Sequence, residues 1–144
     1  EPRSGGPNWL VFNFSETIRA ADGLLSANEF GLTNANFDSA TITNNVLVLR
    51  LKNVVNQSRV TVNLLGLVDA AGNALAGTSS VIIRSLYGDV NRSGSVSTAD
   101  QQAVKNGLLQ TVSAANYLLD LNLSGTISVT DQQIVKNALF TSVP

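Results

Sequence analysis

Residues 89–112, DVNRSGSVSTADQQAVKNGLLQTV, return at residues 120–143 as DLNLSGTISVTDQQIVKNALFTSV. This duplication constrains the fold more than any other feature of the chain. At an offset of 31 with no gap, 13 of 24 positions are identical, and identity falls on polar residues as well as apolar ones. The chain therefore divides near Leu86–Gly88 into an unrepeated N-terminal part and a duplicated C-terminal part.

Each repeat opens with Asp-x-Asn-x-Ser-Gly and places a second Asp eleven residues after the first. With Asp89 as position 1, Asn91 stands at 3, Ser93 at 5, Gly94 at 6, Ser95 at 7 and Asp100 at 12. The second copy gives Asp120, Asn122, Ser124, Gly125, Thr126 and Asp131. This is the spacing of an EF-hand-like, 12-residue calcium loop. A hard cation takes six to eight oxygens at about 2.3–2.6 Å, so one short segment has to curl around it. Positions 1, 3 and 5 offer side-chain oxygens, position 7 its backbone carbonyl and position 12 a carboxylate from the incoming helix. Gly94 and Gly125 sit where the chain turns sharply.

Asp-x-Asn-x-Ser-Gly is also a common turn sequence, but the charges speak for an ion. From Gly88 to Pro144 the only acidic residues are Asp89, Asp100, Asp120 and Asp131, each at position 1 or 12 of a loop. Ser93 and Ser124 leave two formal negatives per loop, which predicts modest affinity, about 10⁻⁵–10⁻³ M. Helix-like stretches follow at Thr98–Leu109 and Val129–Phe140, with Ala103, Val104, Leu108 and Ile134, Val135, Leu139 on their apolar stripes. No amphipathic helix precedes either loop, so the unit is loop then helix. Two units packing their stripes together bury one small core, and four carboxylates brought close couple folding to two bound calcium ions.

Composition narrows the chemistry. The 144 residues contain no His, Cys or Met, which removes His-based triads, thiol nucleophiles and the usual zinc ligand sets. A net charge of -1 gives no electrostatic case for nucleic acid. No apolar run approaches the roughly 18 residues of a membrane span. The expectation is a non-enzymatic chain without nucleic acid, membrane insertion or a small-molecule substrate.

The motifs GDVNRSGSVSTAD and LDLNLSGTISVTD resemble those of the dockerin family, type I-like, over residues 87–144. That resemblance implies a secreted, extracellular or cell-surface-associated bacterial protein plugged into the cohesin module of a scaffold, as in cellulosome-like assemblies for polysaccharide degradation. It implies calcium ligands at Asp89, Asn91, Ser93, Asp100, Asp120, Asn122, Ser124 and Asp131, with Ser95 and Thr126 at the carbonyl positions. Cohesin recognition in the family uses positions 10 and 11 and a basic pair in the following helix. Here these are Thr98, Ala99, Lys105 and Asn106 in one repeat, and Val129, Thr130, Lys136 and Asn137 in the other. The family's frequent Ser-Thr and Lys-Arg pairs are not kept, and the two repeats differ at positions 10 and 11.

Residues 9–86 alternate on a period of two. Leu10, Phe12 and Phe14 share one face, and Val46–Leu51, Arg59–Leu65 and Val81–Leu86 repeat the pattern between turns at Asn44-Asn45, Asn53 to Ser58 and Asp69 to Asn73. About seven short strands predict an antiparallel sandwich, and FNFSETI, NNVLVLRL and VDAAGNALAG resemble bacterial Ig-like repeats. The predicted fold class is thus two domains, an all-β Ig-like antiparallel sandwich followed by a small all-α dockerin of paired loop–helix (F-hand) motifs. The expected boundaries are a linker at 1–7, an Ig-like spacer of X-module type at 8–86 and the dockerin at 87–144. The expected function is calcium-dependent cohesin binding; the alternative is a calcium-rigidified stalk or surface-attachment segment without a cohesin.

Overall fold

The computed structural model describes residues 1–77 and 79–144. Among these, eight strands precede two helices: β1 (Trp9–Asn13), β2 (Ile18–Ala20), β3 (Phe30–Thr33), β4 (Asn36–Thr43), β5 (Val46–Lys52), β6 (Ser58–Leu64), β7 (Leu67–Asp69), β8 (Ser80–Ser85), α1 (Thr98–Asn106) and α2 (Val129–Ala138). Short 3-10 turns lie at Ala27–Glu29 and Tyr117–Leu119. The strands form three small sheets, ordered β1-β5-β4, β2-β7 and β3-β6-β8.

Alternation explains the strands. In β5, VLVLRLK turns Leu47, Leu49 and Leu51 inward; in β6, SRVTVNL turns Val60, Val62 and Leu64 inward. With Ile18, Phe30 and Leu67 these form one buried cluster, against which Leu10, Phe12 and Phe14 of the first strand's face pack half-buried. A two-residue turn joins β4 to β5, pairing Thr43 with Val46, and Asn44 takes φ 55 there.

Two compact units result. One gathers Pro7–Val54 and Val60–Ile83; the other gathers Glu1–Gly6, Val55–Arg59 and Arg84–Pro144. The second has its own core of Leu86, Val90, Val96, Val104, Leu121, Ile127 and Val135.

The expected fold class, an Ig-like sandwich followed by a separate all-α dockerin, does not hold. The chain is mostly β, in three small sheets, and its only helices among the described residues are two short ones near the C-terminus. Alternation marked where four strands run, but it carries no pairing information. β2, β3, β4 and β7 are short, polar or bulged, β4 shifting register between Phe37 and Ser39, and the period-two reading passed over them. At the other end, the two helices are only nine and ten residues long. The chain after each helix forms a β-bridge, Thr111 with Thr126 and Ser95 with Ser142. Both helices also stop short of the expected Leu109 and Phe140: α1 ends at its cap Gly107, α2 leaves helical backbone at Leu139 (ψ 140), and Leu109 and Phe140 themselves are left-handed (φ 67 and 69).

Candidate metal centre

In the first loop the backbone wraps around Asp89. Its Oδ1 accepts the Ser93 N–H at 2.9 Å and its Oδ2 the Gly94 N–H at 2.8 Å. The Asn91 Oδ1 accepts the Ser93 N–H as well, at 2.9 Å, and the Ser93 hydroxyl donates to the Ser95 carbonyl at 3.0 Å. The side chains at positions 1, 3 and 5 and the carbonyl at 7 thus gather about one short arc. The arc needs left-handed backbone at positions 4 and 6, taken by Arg92 (φ 61) and Gly94 (φ 95).

The second loop repeats this bond by bond. Asp120 accepts the Ser124 and Gly125 N–H groups, both at 2.9 Å. The Asn122 Oδ1 accepts the Ser124 N–H at 3.1 Å, and the Ser124 hydroxyl donates to the Thr126 carbonyl at 3.0 Å. Leu123 (φ 60) and Gly125 (φ 86) take the left-handed positions. Thirteen identities in the sequence have become one local geometry used twice.

Position 12 closes each loop and starts each helix. Ser97 caps α1 in a capping box: Asp100 Oδ2 accepts the Ser97 N–H and hydroxyl, both at 2.9 Å. Asp100 Oδ1 reaches back to the Asn91 N–H at 3.0 Å. Ser128 and Asp131 do the same for α2, and Asp131 Oδ1 accepts from both Leu121 (2.8 Å) and Asn122 (3.2 Å). Asp100 and Asp131 are 0% exposed, and Asp89 and Asp120 are also buried.

None of these four carboxylates forms a salt bridge with Lys or Arg among the described residues, although Asp120 feels the charge of Arg3 and Asp89 that of the terminal ammonium. Salt bridges are seen elsewhere, between Arg3 and Glu1 and between Lys52 and Asp38. Buried charge is ordinarily paired or coordinates a metal. The donors in each loop are all oxygens, two carboxylates with an amide oxygen, a hydroxyl and a carbonyl. That set fits a hard cation such as calcium and not a nitrogen- or sulfur-seeking metal. Among the described residues no three His, Cys, Asp or Glu side chains converge, so a cation held in either loop would need the neutral oxygens as well. Asp69, by contrast, spends both oxygens on the Asn73 N–H and amide, each at 2.8 Å, as a hydrogen-bonded turn does.

The two loops brace one another crosswise. Loop 1 is held by the chain that leaves α2: Val96 donates to the Thr141 carbonyl (2.8 Å), Phe140 to the Val96 carbonyl (2.8 Å) and Val143 to the Gly94 carbonyl (3.1 Å). Loop 2 is held by the chain that leaves α1: Leu109 donates to Ile127 (2.9 Å), Ile127 to Gln110 (3.1 Å) and Val112 to Gly125 (3.3 Å). Val104 and Val135, on facing stripes of the two helices, are fully buried.

The residues expected to meet a partner are all exposed. Thr98 and Ala99 lie in the first turn of α1, with Lys105 and Asn106 at its end; Val129, Thr130, Lys136 and Asn137 occupy the same places on α2. Seven residues separate Thr98 from Lys105 and Val129 from Lys136, so each pair shares a helix face. The Asn106 and Asn137 amide oxygens each accept from the Gln one turn earlier, at 2.7 Å. The sequence reading missed Leu109 and Phe140, taking both as the last residues of their helices. They stand at the same repeat position, 96% and 87% exposed, both with left-handed backbone. Their shared register was a signal in the sequence, but their exposure was not.

Residues 87–140 match the family model described as the dockerin type I domain. The match covers less than half of the chain and supports a protein–protein interaction module; calcium binding, cohesin binding and the absence of catalysis are properties of that family. No curated protein and no solved structure matches the chain.

Proposed function

We propose that this chain carries a calcium-dependent interaction module that binds a cohesin on a scaffold or surface protein, with the β-rich unit as its spacer. Two calcium ions sit in the loops, one held by Asp89, Asn91, Ser93, the Ser95 carbonyl and Asp100, the other by Asp120, Asn122, Ser124, the Thr126 carbonyl and Asp131. The observation that carries this reading is the burial of four carboxylates, in two copies of one geometry, with no salt bridge to Lys or Arg among the described residues. Calcium supplies the missing positive charge; the loops, once neutralised, fix the start of each helix and hence the exposed faces that carry Thr98, Ala99, Lys105 and Asn106, and Val129, Thr130, Lys136 and Asn137. The setting is extracellular and bacterial, in an assembly of the kind that degrades polysaccharides.

The test is a pull-down against a panel of cohesins, with calcium and with chelator. Binding that needs calcium and falls when Lys105 and Lys136 are both replaced by Ala supports the reading. A chain that binds calcium and captures no cohesin is instead a calcium-stiffened stalk or attachment segment.

A further inference from the structure

The first residues of the chain, far in sequence from the repeats, are built into the same unit. Their backbone bonds at the entrance of loop 1 and inside loop 2. Leu86 donates to the Glu1 carbonyl at 3.3 Å, and Gly88, immediately before Asp89, donates to the Pro2 carbonyl at 3.0 Å. Ser4 then donates to the carbonyl of Leu121 at 2.8 Å. Leu121 is position 2 of loop 2, and its own N–H is held by Asp131. Pro2 is buried. Arg3 is locked to Glu1 by two hydrogen bonds, at 2.7 and 3.1 Å, and lies 5.0 Å from the Tyr117 ring centre. The Tyr117 hydroxyl accepts from Arg92 of loop 1 at 3.0 Å.

From these contacts we propose that residues Glu1–Ser4 are a strap that positions both ion loops, so that the ion-binding unit is discontinuous in sequence and residues 87–144 are not the whole of it. The inference rests on the calcium reading above and deepens it. A strap that docks only on the ordered loops, and calcium that orders them, reinforce one another by linkage. Loop 2 feels the strap most directly, because the Ser4–Leu121 bond fixes the Leu121–Asn122 peptide, whose N–H Asp131 holds. Loop 1 feels it through Gly88 and through the Arg3–Tyr117–Arg92 contact.

Ser4 offers a clean probe. It follows Arg3 in a turn closed by Gly6 N–H to the Arg3 carbonyl (3.2 Å), with Gly5 at φ 85. This is the second place of a type II turn, where proline fits well. Ser4→Pro keeps the turn and deletes the N–H that holds Leu121, whereas Ser4→Ala keeps the N–H. Both are made in the full chain, in backgrounds that isolate one loop: Asp89→Ala/Asp100→Ala leaves loop 2, Asp120→Ala/Asp131→Ala leaves loop 1. In a titration with calcium alone, Ser4→Pro should weaken loop 2 about three- to tenfold, the loss of about one hydrogen bond. Loop 1 should change less, and Ser4→Ala should match its parent. Amide exchange gives a readout independent of calcium affinity: the Leu86 and Gly88 N–H groups should exchange more slowly in the parent than in Ser4→Pro. Equal affinities together with equal exchange in parent and Ser4→Pro would overturn the strap. A parent that binds no calcium defeats the functional reading instead, and the exchange comparison then decides the strap by itself.

Discussion

Asp100 and Asp131 occupy the same repeat position, yet they are not equivalent. Asp100 accepts three hydrogen bonds and Asp131 four, the extra one from the Leu121 N–H. A hydrogen bond to a charged group contributes about 1.5–3 kcal/mol. Asp131→Asn should therefore cost about 1–2 kcal/mol more than Asp100→Asn in a urea melt at fixed calcium. The caps are a milder test. Ser97→Ala and Ser128→Ala each remove a side chain that caps a helix and donates to the closing carboxylate, at a cost of about 1 kcal/mol. At this scale the sequence was informative: every proposed ligand could be named from spacing, because a loop that wraps one ion must put its oxygens at fixed intervals. It was silent on Leu109 and Phe140, since nothing local to an apolar residue says whether its backbone will turn left-handed and face it to water.

At the scale of elements, the cross-bracing makes an asymmetric prediction from a symmetric pattern. Val143→Pro removes the N–H that bonds Gly94 and should weaken calcium at loop 1; Val112→Pro removes the N–H that bonds Gly125 and should weaken it at loop 2. Titrations in the single-loop backgrounds separate the two effects, and equal losses at both loops for either variant would contradict the crosswise arrangement. The strands show where pattern reading succeeds and fails. β5 and β6 were legible because every second residue is a large aliphatic that must be buried. β4, NFDSATIT, mixes Asn, Asp, Ser and Thr with two large apolar residues and carries a bulge, so its place in a sheet is set by pairing with β5 and not by its own composition. The apolar stripes locate both helices but overrun their ends, since the stripe continues past Gly107 through residues that pack as loop.

For the whole molecule, the departure from a separate all-α dockerin shows in how the unit holding the repeats is assembled. The expected boundaries set residues 1–7 as a linker and residues 87–144 as the dockerin. The backbone groups of Leu86, Gly88 and Leu121 find partners in Glu1, Pro2 and Ser4, and Tyr87 donates its N–H to the Asn56 side chain at 2.8 Å, so that one compact unit draws on three separate stretches of chain. Contacts between residues 31 or more apart leave no periodic trace in a sequence. Calcium should stabilise this unit by mass action, about 2.7 kcal/mol per site at a hundredfold excess over Kd, so the melting temperature should rise with calcium and return with chelator. The most direct measurement is calorimetric titration of the chelator-stripped chain with calcium, with helical circular dichroism followed in parallel. The account predicts two equivalents bound with a gain in helix, one lost in Asp89→Ala/Asp100→Ala and the other in Asp120→Ala/Asp131→Ala. One equivalent or none, or magnesium preferred at both loops, would contradict it.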